Sequence, residues 1–217
     1  MYDAIFLIGS AITPYNPKYY SVEERLYQTL ETYESIKTKI PNCFCILIEC
    51  SKLSNEHKSI LKQIYDVILE YHEDNSVIPY TSHINIGIGE MKLLQKGIEY
   101  ILNNNLISKY IFKLSGRYTL SNNFDINNFD INKYVFRPEI CMDMDVYNTG
   151  LYNIPVNQLQ DFYNILQNGI TLLIQNNNIH YPIERIYYEL INKDNVILKS
   201  TIGLQGNLSY NGTYFNK

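Results

Sequence analysis

Lys109 to Leu120 joins an apolar strand pattern, Tyr110, Ile111 and Phe112, to the run Lys113-Leu114-Ser115-Gly116-Arg117-Tyr118. A strand ending in Ser-Gly-Arg-Tyr gathers four complementary groups. Glycine admits a ligand close to the backbone, the arginine fork donates to phosphate oxygens, serine adds a hydroxyl and tyrosine a stacking face. Together they suit a phosphorylated, sugar-bearing ligand. The alternative is a tight turn with a solvated arginine.

The elements that must position this run read as an alternation. Tyr2 to Gly9 is a short buried strand, and Ser21 with Glu24 three residues on opens a helix towards Lys39 through a capping box. Pro41 and Asn42 lead into a second strand, Cys43 to Glu49, buried on both faces. Asn55 caps a helix reaching Tyr71, with Ile60, Leu61, Ile64, Val67 and Ile68 on its apolar side. A short strand follows near Val77 to Tyr80, then a helix over Glu90 to Leu102 that delivers the chain into the Lys109 strand. Strand and helix in turn predict parallel strands with helical crossovers, whose ligands bind beyond the strands' carboxyl ends. Gly9-Ser10 and Ser115-Gly116 both fall there. In the second half, Tyr134 to Arg137, Asp145 to Ile154 and Val196 to Lys199 read as strands, and Pro155 to Leu166 and Pro182 to Ile191 as helices. The expectation is a mixed, mostly parallel sheet in a single α/β domain spanning residues 1–217; Asn122 to Asn132 is a low-complexity loop.

At 217 residues and 46% hydrophobic, the chain supports one full core. A net charge of −4 and a pI near 5.6 argue against a general nucleic-acid or membrane-surface binder, since neutralising many phosphates needs clustered Lys and Arg. Any phosphate contact is therefore local. The four cysteines, Cys43, Cys45, Cys50 and Cys141, form no CxxC pair and read as buried reduced thiols. No basic leader and no membrane-length apolar run occurs, so the expectation is a soluble, cytoplasmic protein. The abundance of Asn, Ile and Tyr without Trp is a skew that AT-rich coding produces. It also makes the sequons at Asn207 and Asn211 expected by chance.

Gly87-Ile88-Gly89-Glu90 opening a helix, Phe112 to Tyr118 ending the next strand, Asn148-Thr149-Gly150-Leu151-Tyr152 in a later one, and a closing Gly203-Leu204-Gln205-Gly206 with Gly212 form an ordered series. The series resembles the GT-A-type glycosyltransferases, in particular the small nucleotide-sugar-dependent domains of large DNA viruses and of bacterial surface-polysaccharide synthesis. The resemblance implies a Rossmann-like fold that transfers a sugar from a nucleotide diphosphate sugar, a UDP-sugar favoured, to a glycan acceptor in building a virion or surface polysaccharide. A viral source would place it in the host cytoplasm. It implies that Gly9, Ser10 and Thr13 hold base and ribose with Glu49 and Ser51 beside them; ordinary turn chemistry explains the same residues. Arg25 would contact the diphosphate from a helix N-terminus or be a surface neighbour. Glu90 and Lys92, with Lys96, would bind donor sugar or pyrophosphate, or form a solvated helix face. Asn148 and Thr149 would touch sugar or acceptor, and His180 reads as a loop residue.

The chain departs from the family at the metal. Most GT-A enzymes end the strand after that helix in an Asp-x-Asp that holds Mg²⁺ or Mn²⁺; here stand Ser115, Gly116 and Arg117, so Arg117 and Lys113 would share the neutralisation of the leaving diphosphate. An Asp-x-Asp does occur at Asp143 and Asp145, displaced in the strand order, as a metal or acceptor contact or as solvated carboxylates. Glu184, opening a late helix after Pro182, is the candidate base that takes the acceptor's proton, or a favourable helix-dipole partner. The competing class is a non-catalytic nucleotide-sugar-binding module of a larger assembly. A dinucleotide enzyme is disfavoured because no GxGxxG or P-loop follows the first strand. Donor sugar, linkage stereochemistry and oligomeric state stay open.

Overall fold

The computed structural model describes residues 1–13, 20–176, 180–207 and 213–217. In chain order the elements are β1 (Tyr2–Ser10), α1 (Val22–Lys39), β2 (Cys43–Glu49), α2 (Asn55–Lys62), β3 (Val67–Glu70), α3 (Ile78–Thr81), α4 (Ile86–Asn103), β4 (Ser108–Ser115) and β5 (Tyr118–Leu120). There follow β6 (Tyr134–Phe136), β7 (Pro138–Cys141), β8 (Met144–Tyr147), β9 (Leu151–Ile154), α5 (Leu159–Asn176), α6 (Ile183–Leu190), β10 (Val196–Leu198), β11 (Leu204–Asn207) and β12 (Tyr214–Asn216). Asn211 and Gly212 lie outside the described residues.

The central sheet runs β10-β6-β9-β4-β1-β2-β3. β3, β2, β1 and β4 are parallel, β9 runs antiparallel between β4 and β6, and β10 is parallel to β6. The expected mixed, mostly parallel α/β sheet is thus present. Alternate residues of β1 feed opposite cores: Ile5 and Leu7 pack with α4, α5 and α6, while Ala4, Phe6 and Ile8 pack under α1. Phe112 of β4 stacks on Phe6 at 5.0 Å and receives Phe129 edge-on at 4.9 Å. Each such ring pair adds about 0.5–1.5 kcal/mol beyond area burial. Phe124 and Phe129 also pin the low-complexity loop to the core. On the other face α4 seats closely because Gly97 leaves room for the side chains of Ile48 and Leu7.

Four expectations about elements need correction. The helix read from Asn55 to Tyr71 ends at Lys62; Val67 to Glu70 instead form edge strand β3, in register with Ile46 to Glu49. Val67-Ile68-Leu69 satisfies both periods, and the free edge of β2 supplies the backbone hydrogen bonds that decide for a strand. The cap of α2 is Ser54, whose hydroxyl accepts from His57 N at 3.1 Å. Val77 to Tyr80 is no strand: a turn of helix, α3, covers Ile78–Thr81, with Pro79 where its missing N–H is not needed. The strand read from Asp145 to Ile154 is two strands, β8 and β9, broken at Asn148-Thr149-Gly150, and β8 pairs with β7 as a hairpin turning at Met142 and Asp143. The capping box at Ser21 forms as read, with Glu24 N 3.1 Å from Ser21 Oγ and Ser21 N 2.7 Å from Glu24 Oε2.

Candidate functional site

The carboxyl ends of β1, β2 and β4 meet at one edge. Gly9 pairs with Ser115 of β4 and Ser10 with Glu49 of β2. Glu49 is fully buried. Its carboxylate accepts from Ser51 N at 2.7 Å, Ser51 Oγ at 2.5 Å and Ile12 N at 3.3 Å, and Ser51 Oγ in turn accepts from Thr13 N at 2.8 Å. Burial raises the Glu49 pKa against the pull of these bonds. Glu49 and Ser51 thus fasten residues 11–13 after β1, and Thr13 is exposed.

Gly116 N donates to Gly9 O at 2.9 Å, and a side chain there would press on that carbonyl at 3.0 Å. The close approach the sequence asked of this glycine is to β1 itself. The turn is bolted to α1 by Thr29, whose hydroxyl lies 2.9 Å from Arg25 O and 3.2 Å from Gly116 O, and by Thr32, whose hydroxyl donates to Tyr118 O at 2.9 Å. Arg25 and Arg117 are therefore neighbours. Burial first, then the Arg117 charge, lower the pKa of Arg25, and its buried Nε has no hydrogen-bond partner among the described residues. Among the described residues neither guanidinium forms an ion pair with a carboxylate. Arg117 lies 5.4 Å over the Tyr118 ring, which Phe215 of β12 braces edge-on at 4.9 Å.

Next to Tyr118 lies a second cluster. Lys113 is 3% exposed, and its ammonium pairs with Glu90 and donates to Thr149 O at 2.5 Å and Ser115 Oγ at 3.2 Å. Thr149 Oγ1 donates to Glu184 Oε1 at 2.9 Å. Glu90 of α4 and Glu184 of α6 converge because Gly87 lets the start of α4 lie against Ile183, and Asn85 Nδ2 reaches Tyr181 O at 3.1 Å. Burial foremost, with the Glu90 charge, pushes the Glu184 carboxyl above the ordinary carboxylate range, against Thr149 and Lys113. Burial likewise raises Tyr118, which feels Arg117, Glu90 and Glu184. Tyr118 thus connects the two clusters.

The remaining candidates are placed differently. Asn148 spends its amide internally, donating to Glu139 Oε2 at 2.6 Å and accepting from Gly150 N at 3.0 Å. Lys92 stands 4.9 Å over the Tyr80 ring, and Lys96 pairs with Glu99 at 2.8 Å. Asp143 and Asp145 are exposed, one at the turn of the β7–β8 hairpin and one on β8, whose carbonyl at Asp145 accepts from Arg185 at 3.1 Å. Among the described residues no three His, Cys, Asp or Glu side chains form a group that could hold a metal ion. Sequence reading missed Glu139, which gathers Asn148, Arg137 and Lys217, and Thr29, which joins α1 to the arginine turn. Thr29 meets a carbonyl 87 residues on, and Glu139 joins its near neighbours Arg137 and Asn148 to Lys217, 78 residues on, so local pattern does not mark the role of either.

No protein-family model and no curated protein matches the chain in sequence. In structure it is similar to the galactosyltransferase LgtC solved with donor and acceptor sugar analogues, with a TM-score of 0.56 at 10% identity, covering 90% of this chain and 72% of that one. It is also similar to the glycosyltransferase GlyE of Streptococcus pneumoniae, with a TM-score of 0.55 at 10% identity, covering 92% of this chain and 45% of that one. A glycosyltransferase involved in the glycosylation of the major capsid of PBCV-1 matches with a TM-score of 0.49 at 15% identity, over 90% of this chain and 81% of that one. The fold is that of the GT-A glycosyltransferases. No helix among the described residues is long and apolar enough to cross a membrane.

Proposed function

We propose that this chain is a nucleotide-sugar-dependent glycosyltransferase in which Glu184 is the general base. The observation that carries the reading is the half-buried Glu184 carboxylate, held by Thr149, in one strand-end cluster with a buried lysine and joined through Tyr118 to two guanidiniums that have no carboxylate partner among the described residues. Strand ends of an open α/β sheet are where this architecture binds ligands. In the transfer, an acceptor hydroxyl oxygen bonds to the anomeric carbon of the donor while the bond from that carbon to the diphosphate oxygen breaks. The electron pair leaves with the diphosphate, and the acceptor's proton passes to Glu184. Burial makes Glu184 a stronger base than a solvated carboxylate, and Thr149 fixes the oxygen that receives the proton. The Lys113 ammonium holds Glu90 and the Thr149 carbonyl in place.

Residues 11–13, fastened by Glu49 and Ser51, would with Gly9 and Ser10 provide the surface on which base and ribose lie. Uridine diphosphate sugars are the first donors in this reading and a glycan the acceptor; a role in virion or surface polysaccharide rests on the sequence resemblance. The test is titration of the chain with nucleoside diphosphate sugars, followed by assay of sugar transfer to oligosaccharides. Binding with turnover supports the proposal. Binding without hydrolysis or transfer would make the chain a nucleotide-sugar-binding module, and no binding across uridine, thymidine and guanosine donors would refute the reading.

A further inference from the structure

A divalent cation in a GT-A site needs oxygen donors at the end of β4, and the residues there do not fit one. Ser115, Gly116 and Arg117 bring no carboxylate. Of the two carboxylates nearby, Glu184 accepts from Thr149 Oγ1, and Glu90 is already neutralised by Lys113, whose ammonium also occupies Ser115 Oγ and the Thr149 carbonyl. A dication added to that cluster would meet a fixed, buried positive charge. The displaced Asp143 and Asp145 are exposed on a hairpin whose attachment to α6 uses a backbone carbonyl.

We infer that Arg25 and Arg117 together form a metal-independent clamp for a diphosphate. The inference rests on the glycosyltransferase reading for its ligand, but on its own geometry for the site. Thr29 ties Arg25 O and Gly116 O to one hydroxyl, so the first turns of α1 and the β4–β5 turn lie side by side at one strand edge, and the Arg25 guanidinium feels the Arg117 charge. Two like charges in partial burial, without a carboxylate partner among the described residues, oppose each other. The Arg25 Nε, a buried donor with no acceptor among the described residues, is an unmet hydrogen bond of the kind folded proteins rarely keep. A diphosphate bridging both forks resolves both features, because its oxygens accept bidentately and its charge screens the arginines from each other. As the anomeric bond breaks, the charge that develops on the leaving oxygen falls on this pair. Lys113, an alternative cation by sequence, is excluded by its own partners.

The experiment is calorimetric titration of inorganic pyrophosphate and of uridine diphosphate into the whole chain, in EDTA and in Mn²⁺, for wild type, Arg25→Met, Arg25→Lys, Arg117→Met and an exposed control, Lys62→Met. Pyrophosphate binding that persists in EDTA, falls about tenfold or more in each Arg→Met variant, recovers in part in Arg25→Lys and is unchanged in Lys62→Met is the expected result. Circular dichroism checks folding. Arg117 lies in a turn, so its variant keeps the test open should Arg25→Met fail to fold. Binding that EDTA abolishes and Mn²⁺ restores, or that both Arg→Met variants retain, overturns the clamp. Sugar transfer that requires Mn²⁺ leaves the glycosyltransferase reading standing without the clamp; pyrophosphate held by the arginines without any nucleotide-sugar binding leaves the clamp standing without that reading.

Discussion

Glu184 concentrates the chemistry of single residues. Glu184→Gln keeps the Thr149 hydrogen bond but cannot take a proton, so the transfer rate is expected to fall by about 10²–10⁴-fold with little change in donor binding. Burial holds the Glu184 pKa above the ordinary carboxylate range, and a base works only when ionised. The rate therefore declines as pH falls through that raised value, on a limb displaced upward from that of a solvated glutamate. Thr149 lowers the same pKa, so Thr149→Val moves the limb to still higher pH; a pH–rate profile of the two proteins reads the shift. Lys113 is a different kind of residue. Lys113→Met leaves Glu90 without its cation and the Thr149 carbonyl without its donor, and is expected to lower unfolding free energy by about 1.5–3 kcal/mol in urea titration. The sequence made both residues candidates by type and position. That Lys113 is held by Glu90 and Thr149, and that Glu184 accepts from Thr149, was legible only once α4, α6 and β4 met.

Elements record where local pattern suffices and where it does not. α1 was readable from Ser21 and Glu24, because a capping box satisfies orphan amides within a few residues. β3 was not, because Val67-Ile68-Leu69 fits helix and strand spacing alike, and the choice fell to an edge of β2 that lies about twenty residues earlier in sequence. The hairpin of β7 and β8 hid for a related reason: Met142 and Asp143 both take positive φ, and although Asp tolerates that conformation, Met is rare in it, so the turn signal is only half present. Gly203 shows the opposite case, a glycine whose role is tertiary. Its φ of +75° and the Phe124 Cα 2.2 Å from any added Cβ leave no room, so Gly203→Ala is expected to cost about 3 kcal/mol of stability and to loosen β11 from β5. Comparing denaturation midpoints with those of an exposed-site control checks it.

As a whole molecule the chain places two cores on the two faces of one sheet, with β1 and β4 contributing side chains to both. Neither face can open without stripping the other, so the single-domain reading predicts one cooperative thermal transition, coincident by far-ultraviolet circular dichroism and tyrosine fluorescence. Two separated transitions would divide the chain. The sequence by itself determined the alternation of elements, the buried parallel strands and the chemical types at their carboxyl ends, because periodicity and capping are interactions over short spans. It also marked the absence of an acidic pair after β4. Only the tertiary structure decided that Glu49 fastens Ile12 and Ser51, that Lys113 is occupied, that Glu184 accepts from Thr149 and that Thr29 joins Arg25 to the turn that holds Arg117. These are contacts between segments tens of residues apart, and their partners are chosen by the packing of helices on the sheet rather than by anything adjacent in the chain.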